Sequence, residues 1–202
     1  MVVHPSLPVR SVRELIALAK EKPAQLNDAG ANTGSSAHLT AELFKAMAGV
    51  NIVRVPFKGV GPALNALIAG QVQLMFPSAG SITQHVKSGR LRALAVTSAK
   101  PSALTPGLPT VAESGVPGYE SVAVFGVFAP AQTPVEIIAR VQREIARATG
   151  NADVRKRFLD AGVEPVGSTP DEYASTIRRE AAKWGKLIRR SEEHTSELQS
   201  RL

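Results

Sequence analysis

Short apolar segments alternate with amphipathic stretches along most of the chain. Five apolar segments are strand candidates: Gln25–Ala29, Ile52–Phe57, Val72–Phe76, Leu91–Thr97 and Val122–Ala129. Several of them lack polar alternation, which is typical of strands covered on both faces. Helical stretches separate most of these segments, so the pattern predicts an α/β fold with a mostly parallel sheet built from crossover units.

Helix boundaries are marked by local signals. Four Ser/Thr-x-x-Glu capping boxes predict helix starts at Ser11, Thr110, Thr133 and Thr169. In the last two, Pro134 and Pro170 are expected at the first helical position. Helix ends are predicted at Gly49, Gly70, Gly89 and Gly162.

A change of pattern after Pro130 predicts a second region. Helices are expected over about 134–149, 151–161 and 170–189, with one short extended piece at Glu164–Gly167.

Composition narrows the function classes. The 202 residues are 44% hydrophobic, 20% charged and 4% aromatic, with no cysteine. Thiolate catalysis and cysteine metal sites are therefore excluded, and no apolar window is long enough for a transmembrane helix. The net charge is +7, and its densest basic run is residues 178–190. A DNA-binding face is one interpretation of that run, but no nucleic-acid motif accompanies it, and a solvated helix face is favoured.

Three loops follow predicted strands and lead into helices, where ligands of open parallel sheets bind. The first, Asp28–Ser36, is rich in small and hydroxyl-bearing residues and ends at a helix predicted to start near Ala37. Helix N-terminal N–H groups favour an anion there, although a plain capped loop is the alternative. Ser35 or Ser36 is expected to cap the helix or to donate to a bound oxygen.

The second and third loops are Pro56–Pro62 and Pro77–Ser81. Gly59-x-Gly61 imitates the start of a dinucleotide-binding motif. It lacks the third glycine, since Leu64 stands there, and no acidic residue follows at the expected spacing of roughly 20 residues. The third loop is again small, neutral and hydroxyl-bearing.

Catalytic patterns are missing from the sequence. It has no G-x-S-x-G elbow and no phosphate-binding P-loop, and its four histidines lack metal-ligand spacing. His38 has three interpretations: ligand contact, base, or structural hydrogen bonding. Asp28 is the one carboxylate in the three loops, so paired acid–base carboxylates are absent there. A cleft of neutral donors suits reversible binding of a small anion, with no catalytic residue, metal or cofactor expected.

An ordered set of motifs resembles the substrate-binding proteins of tripartite tricarboxylate transporters, the Bug family of periplasmic solute receptors. The motifs span residues 1–189 and include GSSAHL at 34–39, VPFKG at 55–59, GRLRALAV at 89–96, LPTVAE at 108–113, FAPA at 128–131 and AKW at 182–184.

The resemblance implies a type II periplasmic-binding-protein fold that closes on a small carboxylate. It implies one complete lobe at 1–125, part of a second lobe at 126–189, a monomer, and delivery of the ligand to membrane transporter subunits without nucleic acid or catalysis. The residues it places at the ligand are Ala31, Asn32, Thr33, Gly34, Ser35, Ser36, His38, Phe57, Lys58, Gly59, Pro77, Ser78 and Ala79. Many relatives have Asp where Pro77 stands, so recognition of an amino group is not expected.

Both ends depart from the family pattern. The signal peptide, first strand and opposite glycine-rich loop of the family are not found before Met1, which is expected to be an internal start. Residues 190–202 resemble a translated sequencing-library adapter and are expected to be an artefact.

Two rival functions differ in class. The first is a nucleotide-dependent α/β enzyme using Gly59–Gly61 together with the helix end at Ser35 and Ser36. The second is the effector-binding module of a regulator, which would need an attached DNA-binding domain that this sequence does not show.

Overall fold

The computed structural model describes residues 1–199, with side chains described for residues 1–189. The strands are β1 (Val2–Val3), β2 (Asn27–Gly30), β3 (Val53–Pro56), β4 (Leu74–Met75) and β5 (Arg92–Ala93). The helices are α1 (Val12–Glu21), α2 (Ser36–Ala48), α3 (Val60–Ile68), α4 (Ala79–Lys87), α5 (Val135–Gly150), α6 (Ala152–Asp160) and α7 (Pro170–Gln199).

The five strands form one mixed sheet in the order β3-β2-β4-β1-β5. Strand β2 pairs in parallel with β3 and β4, whereas β1, which lies between β4 and β5, is antiparallel to both. Four strands therefore run in one direction, as the crossover pattern predicts, and β1 alone runs against them. The shortness of β4 and β5 shows that only part of each apolar run finds a pairing partner.

Each face of the sheet has its own apolar core. Val2 and Val3 alternate across β1, so Val3 joins a cluster with Leu15 and Phe44 while Val2 joins a cluster with Leu67. Helices α1 and α2 therefore cover one face of the sheet, and α3 and α4 cover the other. This arrangement explains the continuous apolar runs of the sequence.

The chain divides into two compact units. The first consists of residues 1–123 and 160–163, and the second of residues 124–159 and 164–202. The second unit contains α5, α7 and all of α6 except Asp160. Within this unit the ring centroids of Phe128 and Tyr173 lie 5.7 Å apart. On α5, Ile137, Val141 and Ile145 line an apolar groove.

The predicted strand Val122–Ala129 is wrong. This segment forms no strand, and its large apolar side chains are exposed, with Phe125 81% accessible to solvent. An apolar run becomes a strand only when a neighbouring strand completes its backbone hydrogen bonds, and no described strand pairs with this one. Glu164–Gly167 likewise forms no strand.

The capping boxes have different outcomes. Ser11 and Thr169 cap their helices, each accepting from the backbone N–H of the glutamate three residues later. The Thr110 box forms both hydrogen bonds but encloses only a turn. The Thr133 box is wrong, since Pro134 is the N-cap of α5 and no side chain caps that helix.

The basic run lies on α7. Arg178, Arg179, Lys186 and Arg189 are exposed there, as on a solvated helix face, while the side chain of Arg190 lies outside the described residues. Residues 200–202 of the adapter-like tail also lie outside them. Within the described part of the chain, no helix is both long and apolar enough to span a bilayer.

Candidate ligand-binding site

Three loops meet at one edge of the sheet. Strands β3, β2 and β4 are neighbours and run in parallel, so their carboxyl ends lie side by side. The loops that leave them lead into α3, α2 and α4, respectively. The backbone N–H of Phe57 donates to the carbonyl of Gly30 over 2.8 Å, which ties the second loop to the first. All thirteen candidate residues lie in these loops or in the first turns of α2 and α4.

The first loop ends in a capped helix. Ser35 is the N-cap of α2, and its hydroxyl accepts from the backbone N–H of His38 over 3.3 Å. The N–H groups of Ser36 and Ala37 find no acceptor within the described part of the chain, as expected for the first turn of a helix. Gly34 has a φ of +77°, and a Cβ at this position would meet no atom within 4 Å, so the surface of the loop is open there.

His38 supports this loop through its ring. Its Nδ1 accepts from the backbone N–H of Gly34 over 3.1 Å, and its Nε2 lies 3.6 Å from Glu42, which pairs with Lys45. Burial, followed by the nearby charge of Arg54, lowers the pKa of His38. The ring is therefore neutral near pH 7, and its structural role is the one with observed contacts.

The second loop has a different helix start. Gly59 is the N-cap of α3 with a φ of +110°, and no side chain caps that helix. Its N–H donates to the carbonyl of Phe57 over 2.9 Å, forming a tight turn. Lys58 is exposed beside this turn, whereas Phe57 is half-buried.

The third loop resembles the second in leaving its helix uncapped. Ser78 is the N-cap of α4, but its side chain makes no capping hydrogen bond there. Its hydroxyl donates instead to Ser81 Oγ over 3.2 Å. Pro77 and Ala79 are half-buried on either side.

The edge is therefore rich in small donors and poor in exposed charge. Asn32, Thr33, Gly34, Ser36, Lys58 and Ser78 are exposed, while Ala31 is buried. In the described residues, no group of three or more His, Asp or Glu side chains is arranged to hold a metal ion. The geometry suits an anion approached by N–H and O–H groups.

Sequence reasoning missed Arg54 on β3. Its guanidinium donates to the carbonyl of Ala31 over 2.6 Å and to Thr33 Oγ1 over 3.3 Å. The available signal was an arginine inside the otherwise apolar run Ile52–Phe57.

Asp28 lies beneath the same edge. It is 2% exposed, and neither carboxylate oxygen has a hydrogen-bond partner within the described part of the chain. Burial raises its pKa to about 7, against the opposing charges of Lys45 and Arg54.

Comparison with known proteins finds relatives of this chain both by sequence and by structure. BugT of Bordetella pertussis is 36% identical over 189 residues, which are 94% of this chain and 58% of BugT. The structure of R. palustris Rpa4515 with adipate is 38% identical with a TM-score of 0.80, covering 93% of this chain and 63% of that one. MatC from Rhodopseudomonas palustris with bound malate is 28% identical with a TM-score of 0.75, covering 93% and 65%.

The chain thus spans a little under two thirds of these relatives. The likeness confirms an α/β fold of the periplasmic-binding-protein type, comprising one lobe and part of another. Residues 1–192 match the family model described as the tripartite tricarboxylate transporter family receptor. This chain therefore belongs to that receptor family, to which the Bug proteins also belong.

Proposed function

We propose that this chain is part of a periplasmic receptor that binds a small carboxylate and delivers it to membrane subunits of a tripartite tricarboxylate-type transporter. The observation that carries the proposal is the meeting of three helix N-termini at one sheet edge, lined by short donor side chains. Asp28, the one carboxylate of the three loops predicted from the sequence, is buried rather than exposed to a ligand.

The physical basis is electrostatic. Each helix N-terminus carries roughly half a positive charge and favours an anion by about 0.3–1 kcal/mol, or up to about 2 kcal/mol when partly buried. The N–H groups of Ser36 and Ala37, which have no acceptor among the described residues, supply donors, and the open surface at Gly34 allows close approach. Ser36, Ser78 and Asn32 add polar side chains without charge.

The relatives support a ligand class rather than one ligand. Adipate and malate, in the two solved relatives, are dicarboxylates of different length. We therefore propose carboxylate capture by residues 31–36 with Phe57, Lys58, Gly59, Pro77, Ser78 and Ala79, while His38 acts by positioning Gly34.

The remaining parts of the proposal concern assembly and the division of the chain. The receptor acts as a monomer, without catalysis, cofactor or nucleic acid. Residues 1–125 form the ligand-binding lobe, 126–189 return to the second lobe, and 190–202 come from an adapter sequence.

Binding calorimetry with adipate and malate tests this function on the 202-residue chain. We expect Gly34→Val to weaken adipate binding by about tenfold or more, because a β-branched residue strains a positive φ and displaces the loop. Gly89→Val is the matched control, since Gly89 has a similar φ of +72° and open space but lies beyond α4. Both variants should lose similar stability, and only Gly34→Val should lose binding.

Two results would contradict the proposal. One is equal adipate affinity in both variants. The other is no binding by the wild-type chain to adipate, malate or other small dicarboxylates. Binding of Mg-ATP that is lost in Gly59→Val would favour the nucleotide-dependent enzyme instead.

A further inference from the structure

Arg54 lies against the first loop of the proposed site from the neighbouring strand. It pairs in register with Asp28, two residues before the Gly30 end of β2. One guanidinium nitrogen, Nη2, donates to the carbonyl of Ala31 over 2.6 Å. The other, Nη1, donates to Thr33 Oγ1 over 3.3 Å. A single side chain from β3 therefore holds two points of the loop that follows β2.

We propose that Arg54 is the positioning residue that gives the loop at residues 31–36 its preference for anions, by holding the Ala31 carbonyl and the Thr33 hydroxyl in fixed orientations. This inference rests on the proposed carboxylate function and adds to it a residue outside the three loops.

The two hydrogen bonds set the polarity that the loop presents. A carbonyl oxygen facing a carboxylate repels it, and the Ala31 oxygen is instead occupied by the guanidinium. A hydroxyl has one hydrogen to donate and two lone pairs that accept. Because Thr33 Oγ1 accepts from Arg54, its hydrogen stays available for a bound oxygen. The loop is left with N–H and O–H groups for the ligand.

Gly30 makes this arrangement possible. A Cβ at Gly30 would lie 2.5 Å from Arg54 Nε and 2.7 Å from Arg54 Cγ. The arginine side chain therefore crosses the strand directly over this glycine. An alanine at position 30 would force the arginine side chain to move, and the two hydrogen bonds to the loop depend on its present path.

The charge of Arg54 also reaches the loop. After burial, it is the largest influence that lowers the pKa of His38. A neutral His38 keeps Nδ1 free to accept from the Gly34 N–H, so the charge of Arg54 helps to preserve the loop's own hydrogen bond. The charge also adds to the positive potential of the α2 N-terminus.

The first test measures the loop without ligand. Hydrogen exchange of the amides of residues 32–37 is compared in the wild-type chain, Arg54→Met and Arg54→Lys. We expect exchange about tenfold faster or more in Arg54→Met, because both anchors are lost, and an intermediate rate in Arg54→Lys, which keeps the charge without the fork of donors. Arg92→Met is the matched control. Arg92 also lies in a strand and donates to the backbone carbonyls of Leu7 and Val9. It belongs to β5, however, which is at the opposite edge of the sheet from β3.

The second test is a double-mutant cycle read by adipate calorimetry. Arg54→Met and Gly30→Ala should each weaken adipate binding by about tenfold or more. The double variant should bind no more weakly than Arg54→Met alone, since Gly30→Ala acts by displacing the arginine. Arg92→Met should leave adipate affinity unchanged.

The outcomes distinguish a failure of this inference from a failure of the proposed carboxylate-binding function. Unchanged exchange at residues 32–37 in Arg54→Met overturns it, as does faster exchange with unchanged adipate affinity, or additive losses in the double variant. Faster exchange in a chain whose wild type binds no dicarboxylate contradicts the proposed function, while supporting the positioning of the loop by Arg54.

Discussion

Asp28 provides a test of how the sheet tolerates a buried charge beside the candidate site. Its side chain is 2% exposed, and both oxygens lack hydrogen-bond partners within the described part of the chain. Burial raises its pKa to about 7 from an ordinary value of 3.8. The charges of Lys45 and Arg54 oppose this shift, whereas Glu42 adds to it, and burial outweighs them all.

The sign of the effect on stability follows from proton binding. Between about pH 4 and pH 7 the folded chain holds a proton on Asp28 that the unfolded chain has lost. The stabilisation of the folded state by this bound proton is therefore complete below pH 3.8 and is lost as the pH rises to about 7. At about 1.4 kcal/mol for each pKa unit, the loss is of the order of 4 kcal/mol.

Asp28→Asn removes this titration while keeping the shape of the side chain. We expect the variant to be more stable than the wild type at pH 8.5, by up to about 4 kcal/mol, and nearly equal to it at pH 4. An asparagine leaves polar atoms unpartnered much as a protonated aspartate does, so the low-pH comparison is close to neutral. The assay is urea unfolding at intervals between these pH values.

A matched control removes a carboxylate from an exposed position. Glu21→Gln at the end of α1 should change the free energy of unfolding by less than about 0.5 kcal/mol at every pH. Parallel pH profiles for Asp28→Asn and the wild type would refute the reasoning, as would a gain in stability that is the same at pH 4 and pH 8.5.

Two further predictions concern single hydrogen bonds in different parts of the chain. Tyr119→Phe removes a buried hydrogen bond of 2.9 Å to the carbonyl of Thr40, and we expect a loss of about 1 kcal/mol in urea unfolding; an unchanged midpoint would contradict it. Thr169→Ala removes the cap of α7, and we expect the free energy of unfolding to fall by about 1 kcal/mol and the helical circular dichroism to decrease. Thr169→Ser should keep the stability and the helical signal of the wild type; equal losses in the two variants would contradict the prediction.

Local sequence determined the features whose partners lie within a few residues. The boxes at Ser11 and Thr169 form as predicted because each contact spans three residues. Gly49 ends α2 in the left-handed conformation for the same reason. The order of strands and helices along residues 25–87 follows from apolar periodicity, because that periodicity is a property of each segment and does not depend on the rest of the chain.

Local signals were misleading where a distant partner decides the outcome. The Thr110 box makes its two hydrogen bonds, yet no helix extends beyond it. Val122–Ala129 has the composition of a strand but pairs with none of the described strands. A hydrogen-bond ladder needs a second chain segment, and the apolar content of one segment does not say whether that second segment is present.

The sequence by itself determined the α/β class, the three donor-rich loops and the family resemblance, because these reside in local order and residue type. Only the tertiary structure decided that β3, β2 and β4 lie side by side and bring those loops to one edge. It also decided that Arg54 reaches Ala31 and that Asp28 is buried without a partner among the described residues. Both depend on strand register and burial, which are set by contacts between residues far apart in the chain.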